Sequence, residues 1–343
     1  MARRQIDRRT FLKQAGVGAV GLAASGAAFN TGDDVGLAGA TPDVAPSAEL
    51  RVSDPAEVRV LQFTDLHFFC VDKLRGRLKD LKSVQVMKRL VDLTAPQLVA
   101  VTGDLWHNDP SGRGEEFMRF GVEQCESLGA PWLFTWGNHD RMADYAVGHE
   151  AVTAAKHSLY RGGSTGGNYV VRIATSAGEP AWDLICLNSV KLGLGEEQRA
   201  YLRGLAAERG KQARPAPPSF ALFHIPIRQY LDIWDSGAAS GVKRESVAYH
   251  DEDGTTFPLF KDLAVRACFC GHDHVNDYAA PLEGVELVYG RATGYGGYGA
   301  AVLDKGAKLI TLNCETGAYS WDTILPDGAR WHPKAGERVG QSA

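Results

Sequence analysis

The sequence predicts an α/β fold whose functional edge lies at the carboxyl ends of its strands. Two observations predict it. Short apolar, β-branched or aromatic runs alternate with amphipathic stretches from Val58 to Thr135, the pattern of strand and crossover helix. Five such runs lead directly into residues that carry chemistry: Asp65-Leu66-His67, Gly103-Asp104, Gly137-Asn138-His139-Asp140, His224, and Gly271-His272-Asp273-His274. Ligands of open α/β sheets gather outside the carboxyl ends of the strands, so both patterns point to one place.

The elements follow in order. Val58 to Phe63 reads as the first strand, with Thr64 to His67 turning off its end. Lys79 to Leu93 has apolar residues at 81, 84, 86, 87, 90, 91 and 93, close to helical spacing. Leu98 to Thr102 is the second strand, Gly114 to Leu128 a helix marked by Phe117, Phe120, Val122 and Cys125, and Trp132 to Thr135 the third strand. A helix from Asp144 to Ala155 and a glycine-rich loop, Gly162 to Gly167, come next. Tyr169 to Ile173 and Trp182 to Leu187 suit an antiparallel pair, Gly195 to Arg209 a helix, and Phe220 to Phe223 and Val265 to Cys270 two further strands. Residues 231 to 258, rich in glycine and polar groups, read as a long irregular stretch of the kind that forms a lid or binding loop. Short strands near 285 to 289, 300 to 303 and 308 to 312 complete a second sheet.

A chain of 343 residues with 44% hydrophobic content buries a large core. The candidate site residues run from 65 to 274 and need a common pocket, which favours one domain over residues 58 to 325. Residues 41 to 57, with Pro42, Pro46 and Pro55, read as a solvated linker, and 326 to 343 as a C-terminal tail. A net charge of -4 lacks the basic excess of a nucleic-acid binder. Six scattered cysteines read mostly as buried small hydrophobes.

At a strand exit, side chains two residues apart point the same way, so Asp65 with His67, and His272 with His274, can reach one cation. Asn138 and His139 place a metal-ligand type beside a proton-donor type. Such residues singly are more often caps, turns or core groups; clusters on several strand ends argue against coincidence.

The series Asp-x-His, Gly-Asp, Gly-Asn-His-Asp, His and Gly-His-x-His, in this order, resembles the calcineurin-like metallophosphoesterase superfamily. Phe223 to Pro226, Cys270 to Tyr278 and Tyr289 to Gly299 resemble its purple-acid-phosphatase-related branch, which includes Dcr2-type phosphatases. The resemblance implies a β-sandwich of two mixed sheets flanked by helices. It also implies two metal ions, with Asp65, His67 and His274 on one, Asn138, His224 and His272 on the other, and Asp104 bridging both. A metal-bridging hydroxide would attack phosphorus directly, and His139, steadied by Asp140, would face the leaving-group oxygen. Purple acid phosphatases carry a tyrosine three residues after the bridging aspartate; here His107 stands there. This departure implies a colourless enzyme using manganese, iron or zinc. His107 either approaches the metals or substrate or lies on the surface. Arg141 and Arg228 are candidate contacts for substrate phosphate oxygens. The Tyr289 to Gly299 run lacks the lysine and following helix of a phosphate loop and reads as a close-packed loop beneath the site, with Tyr295 or Tyr298 at its rim.

The leading expectation is a phosphomonoesterase. The alternatives are a phosphodiesterase acting on nucleotides or phospholipid head groups, and a metal-stabilised binding module with a dead site.

The first forty residues are separate. Arg8-Arg9-Thr10-Phe11-Leu12-Lys13 precedes a mildly apolar stretch from Ala15 to Phe29, which resembles a twin-arginine export signal. That stretch is shorter and less apolar than the roughly twenty residues of a spanning helix. Cleavage after Ala38-Gly39-Ala40 would remove five basic and three acidic residues, leaving 32 basic against 38 acidic, a net of -6. The twin-arginine translocation machinery is then a partner, and the folded enzyme reaches the periplasm, cell wall or medium, where a disulfide, for instance one using Cys70, is permitted. Replacing Arg8 and Arg9 with lysine should retain the precursor in the cytoplasm on cell fractionation; unchanged export would overturn the signal assignment.

Overall fold

The computed structural model describes residues 48–70, 74–108 and 112–340. The expected signal segment lies outside them. Two mixed sheets form the centre. In the six-stranded sheet, Val58–Phe63, Leu98–Thr102 and Trp132–Thr135 are parallel neighbours, extended antiparallel by Ala307–Leu312, Tyr319–Ile324 and Arg330–Trp331. Helices Leu74–Thr94 and Gly114–Glu126 provide the crossovers that parallel pairing demands. Their buried residues, Val86, Met87 and Leu90 on one and Phe117, Met118, Gly121 and Cys125 on the other, recur at helical spacing and turn one face to the core.

The nine-stranded sheet runs, in spatial order, Ala48–Val52, Tyr169–Thr175, Pro180–Cys186, Ser219–Leu222, Val265–Cys270, Val285–Tyr289, Asn276–Leu282, Ser240–Lys243 and Arg338–Gly340. Four consecutive strands, from Pro180–Cys186 to Val285–Tyr289, are parallel. One apolar core joins the two sheets, with Val60, Phe63, Leu309 and Trp321 from the smaller and Ile173, Leu184, Phe220 and Phe269 from the larger. A second core packs the larger sheet against helices Glu196–Gly210, Gln229–Asp235 and Phe257–Asp262 through Tyr201, Leu205, Tyr230, Trp234 and Phe260.

Four regions differ from the expectation. Ala48–Val52, inside the expected linker, pairs in parallel with Tyr169–Thr175 as an edge strand; its alternating pattern ends on buried Val52. The expected tail contributes strands to both sheets, Arg330–Trp331 beside Tyr319–Ile324 and Arg338–Gly340 beside Ser240–Lys243. Residues 231 to 258 are irregular over about three fifths of their length. Tyr230, Ile233 and Trp234 bury one face of a short helix, and Ser240–Lys243 pairs with Asn276–Leu282. Residues 300 to 303 form a turn, because the backbone N–H groups of Val302 and Leu303 both donate to the Gly299 carbonyl.

A buried ionic group fastens the sheets together. Asp277, on the larger sheet, meets Lys308 Nζ at 2.5 Å and Arg291 Nε at 2.6 Å, while Thr323 Oγ1 donates to it at 3.0 Å. Lys308 and Thr323 belong to the smaller sheet. Burial pushes the Lys308 ammonium down to about 8, and Asp277 keeps it charged at neutral pH. Removing one partner of such a group leaves an uncompensated buried charge, which costs about 3–5 kcal/mol. Asp277→Asn should therefore lower unfolding stability by about 3–5 kcal/mol in urea titration, and adding Lys308→Met should recover part of the loss.

Candidate metal centre

The five motifs meet at the carboxyl ends of strands from both sheets. Backbone pairing sets the first two side by side, with Asp65 N–H donating to the Gly103 carbonyl at 3.1 Å and His67 N–H to the Asp104 carbonyl at 2.9 Å. The His224 ring crosses from the larger sheet, its Nδ1 2.9 Å from the Thr102 carbonyl. Gly271 N–H donates to the His224 carbonyl at 2.9 Å and brings in the last pair.

The donor atoms form two groups, Asp65/His67/His274 and Asp104/His224/His272, each with its atoms within 4.8 Å of one another. His274 Nε2 lies 3.0 Å from both His67 Nε2 and Asp65 Oδ1. Asp104 Oδ2 stands between the groups, 3.3 Å from His67 Nε2 and 3.1 Å from His224 Nε2. All six residues are buried.

The outer hydrogen bonds decide which ring nitrogens face inward. A carbonyl only accepts, so His224 Nδ1–H donates to Thr102 and His274 Nδ1–H to the Tyr298 carbonyl at 3.2 Å. In the neutral rings both Nε2 lone pairs then point at carboxylate oxygens. Lone pairs facing carboxylates are repulsive unless a cation or proton lies between them. Asp65 Oδ1 and Asn138 Oδ1 are buried without a hydrogen-bond partner, and an unsatisfied buried oxygen is costly. The donor set therefore fits cations. Burial alone would raise Asp65 and Asp104; His274 and His224 hold Asp65 well below the usual carboxylate range, and His224 and His67 do the same for Asp104. Against the effect of its own burial, Asp104 and Asp65 raise His224 to about 10.

The side chains converge by a different route from the one expected. Asp65, His67, Asp104 and His272 have φ of 56°, 48°, 52° and 78°, the left-handed region, so tight turns rather than strand alternation aim them inward. Backbone of this kind costs on the order of 1–3 kcal/mol per residue and collects at functional sites. Gly137 serves close approach: its φ is not positive, and a Cβ there would come within 2.3 Å of Asp104 Oδ1. The Tyr289 to Gly299 run packs against the site as a supporting loop, and a Cβ on Gly297 would lie 2.4 Å from His274 Cε1. The Tyr298 ring stacks on His274 at 4.0 Å, whereas Lys82 sits over Tyr295.

Asp140 does not steady the His139 ring. Its carboxylate accepts backbone N–H bonds from Asp104 at 2.7 Å, Trp106 at 3.1 Å and Gly137 at 2.7 Å, tying two strand exits together. Burial and the nearby Asp104 push Asp140 well above the usual carboxylate range. The partner of His139 is Asn108, whose Oδ1 is 2.7 Å from Nδ1, while His139 N–H donates to Asp104 Oδ1 at 2.8 Å. Burial pushes His139 down to about 3. His107 belongs to the cluster, with Nδ1 3.2 Å from His67 Nδ1 and its ring stacked on His139 at 4.5 Å. Arg141 is exposed and donates to the Asn138 carbonyl at 3.1 Å. Arg228 is exposed too, at the N-cap of the helix Gln229–Asp235 and 3.9 Å from its Asp232.

Two residues at the centre carried no sequence signal of their own. Asn108 follows His107 but matches no ligand spacing. His250, in the stretch expected to be irregular, has its Nε2 3.1 Å from His272 Nε2.

Comparison with known proteins agrees with this architecture. The chain is 27% identical over 322 residues to "Probable inactive purple acid phosphatase 28" of Arabidopsis thaliana, an overlap of 81% of each chain. It is 26% identical over 280 residues to "Phosphatase DCR2" of Saccharomyces cerevisiae, covering 70% of this chain and 48% of the yeast protein. Its fold is similar to that of purple acid phosphatase PPD1 from yellow lupin (Lupinus luteus) seeds, with a TM-score of 0.51 and 15% identity over 84% of this chain and 55% of the lupin chain. Residues 58–276 match the calcineurin-like phosphoesterases, and the chain belongs to that family.

Proposed function

We propose that this protein is an exported phosphomonoesterase with a dinuclear metal centre. The meeting of two donor groups at Asp104 Oδ2 carries the proposal. Asp65, His67 and His274 would hold one ion, Asn138, His224 and His272 the other, and Asp104 both. When bound, two such ions supply Lewis acidity and an acidified water for in-line displacement at phosphorus. Manganese, iron and zinc all suit imidazole and carboxylate donors, and His107 in place of a tyrosine ligand leaves the centre colourless.

The chain's own residues orient the reaction and move the proton. Asn108 fixes the His139 ring by its Nδ1 edge. In the free site burial keeps this imidazole neutral; a doubly negative phosphate ester beside it raises its proton affinity. His139 thus takes up a proton as substrate binds and delivers it to the leaving oxygen. Asp140 keeps the two loops in register through three backbone bonds. The phosphatase name of the yeast relative favours a monoester over a diester. The word inactive describes the plant protein; here none of the seven donor residues is missing and His139 is in place, which favours an enzyme over a binding module. Arg8-Arg9 favours export.

Asp104→Asn should weaken both ions together, because one shared carboxylate offsets the charge of two cations. Metal analysis that still finds two ions per chain, with normal activity, would remove Asp104 from the bridging role.

His139→Asn should keep its metals and fold and lose about 10²–10⁴-fold in kcat/KM on alkyl phosphates, the usual worth of general acid catalysis. The loss should be visibly smaller with p-nitrophenyl phosphate, whose phenolate leaves without a proton. Equal losses on both substrates would sink the proton-donor assignment.

A further inference from the structure

We propose, resting on the dinuclear centre above, that His250 is the positioning residue that fixes the orientation and tautomer of His272. The inner atom of His272 is Nδ1, 3.3 Å from His224 Nε2. Its outer atom, Nε2, lies 3.1 Å from His250 Nε2, with the rings at 62° and their centroids 5.1 Å apart. His224 and His274 turn their outer nitrogens to backbone carbonyls. His272 turns its outer nitrogen to a side chain.

The proton assignment follows from the pairing. Two neutral imidazole nitrogens form a hydrogen bond only when one carries hydrogen and the other a lone pair. With His272 Nδ1 turned to a cation, its hydrogen sits on Nε2, so His250 Nε2 accepts and His250 carries its own hydrogen on Nδ1. This outer bond holds the ring plane of His272 and raises the basicity of Nδ1.

The loop is built to hold that contact. His250 itself has a left-handed φ of 52°. Ala248 N–H donates at 3.1 Å to Asp273 Oδ2, which also accepts from Tyr289 Oη at 2.7 Å. The residue between the two histidines therefore anchors the segment that carries the third. On the far side of His250, the Glu252 carboxylate accepts from Arg228 N–H at 2.8 Å and Thr256 N–H at 3.3 Å.

The test strips the full chain with a chelator and titrates it with zinc by calorimetry. The unaltered protein should take two ions. Loss of an outer partner typically costs 10–100-fold in metal affinity, so His250→Ala should weaken one ion by that factor and leave the other unchanged. His250→Gln, whose Oε1 accepts from about the same place, should recover most of the loss. Thermal unfolding of both metal-free variants should match the parent. Unchanged affinity at both sites in His250→Ala would overturn the proposal, as would equal weakening of both. Failure to fill one site at saturating zinc would overturn it in another way, by making His250 a ligand. If the unaltered protein takes no zinc, manganese or ferrous ion at all, the dinuclear reading itself falls.

Discussion

Two carboxylates and four imidazoles occupy one buried space, and in the absence of a cation that grouping opposes folding. Asp65 and Asp104 are each 1% exposed, and their histidine neighbours are nearly as enclosed. Removing charge and lone pairs from water without a partner is among the costliest things a chain can do. The surrounding structure holds the group in place with backbone hydrogen bonds between strand exits, left-handed residues at four of the donors, and glycines where a methyl would collide. The two-sheet architecture is the frame that brings those exits together, and the Asp277–Lys308 pair keeps the sheets in register on one side of it.

Asp140 illustrates how a scaffold contact differs from a chemical one. Next to a candidate proton donor in sequence, it invites a role as that donor's orienting carboxylate. Its position gives it to the backbone instead, where one side chain satisfies three N–H groups from two loops. Asn108, from the neighbouring strand exit, orients the imidazole. Function resides in such sites rather than in the fold.

Much of this was legible in the sequence because buried parallel strands and glycine-bounded motifs are local signals. Val58–Phe63, Leu98–Thr102 and Trp132–Thr135 stand out by composition, and the residues after them by type. Edge strands were harder to read. Ala48–Val52 and Arg338–Gly340 are short and half exposed, and only a partner strand far away in the chain gives them their structure. Strand alternation grouped these side chains for a geometrical reason the backbone does not follow, since positive φ at Asp65 and His67 leaves no mark on residue type. His250 was invisible because its place beside His272 comes from a loop fold held by Asp273 and Glu252, not from any spacing.

The distance between partners along the chain bears on how the protein acquires its centre. His224 meets Thr102 across 122 residues and His67 meets His274 across 207. Contacts of such long range form late in folding, after the entropy of closing large loops has been overcome. During synthesis the segment through residue 140 already holds Asp65, His67, Asp104 and Asn138, an open half of the site with no closing histidines. Neither group of donors is complete until the strand that precedes His272 has entered the larger sheet. Capture of cations by these groups would therefore be coupled to assembly of both sheets, and ions bound there would stabilise the global fold rather than any single loop.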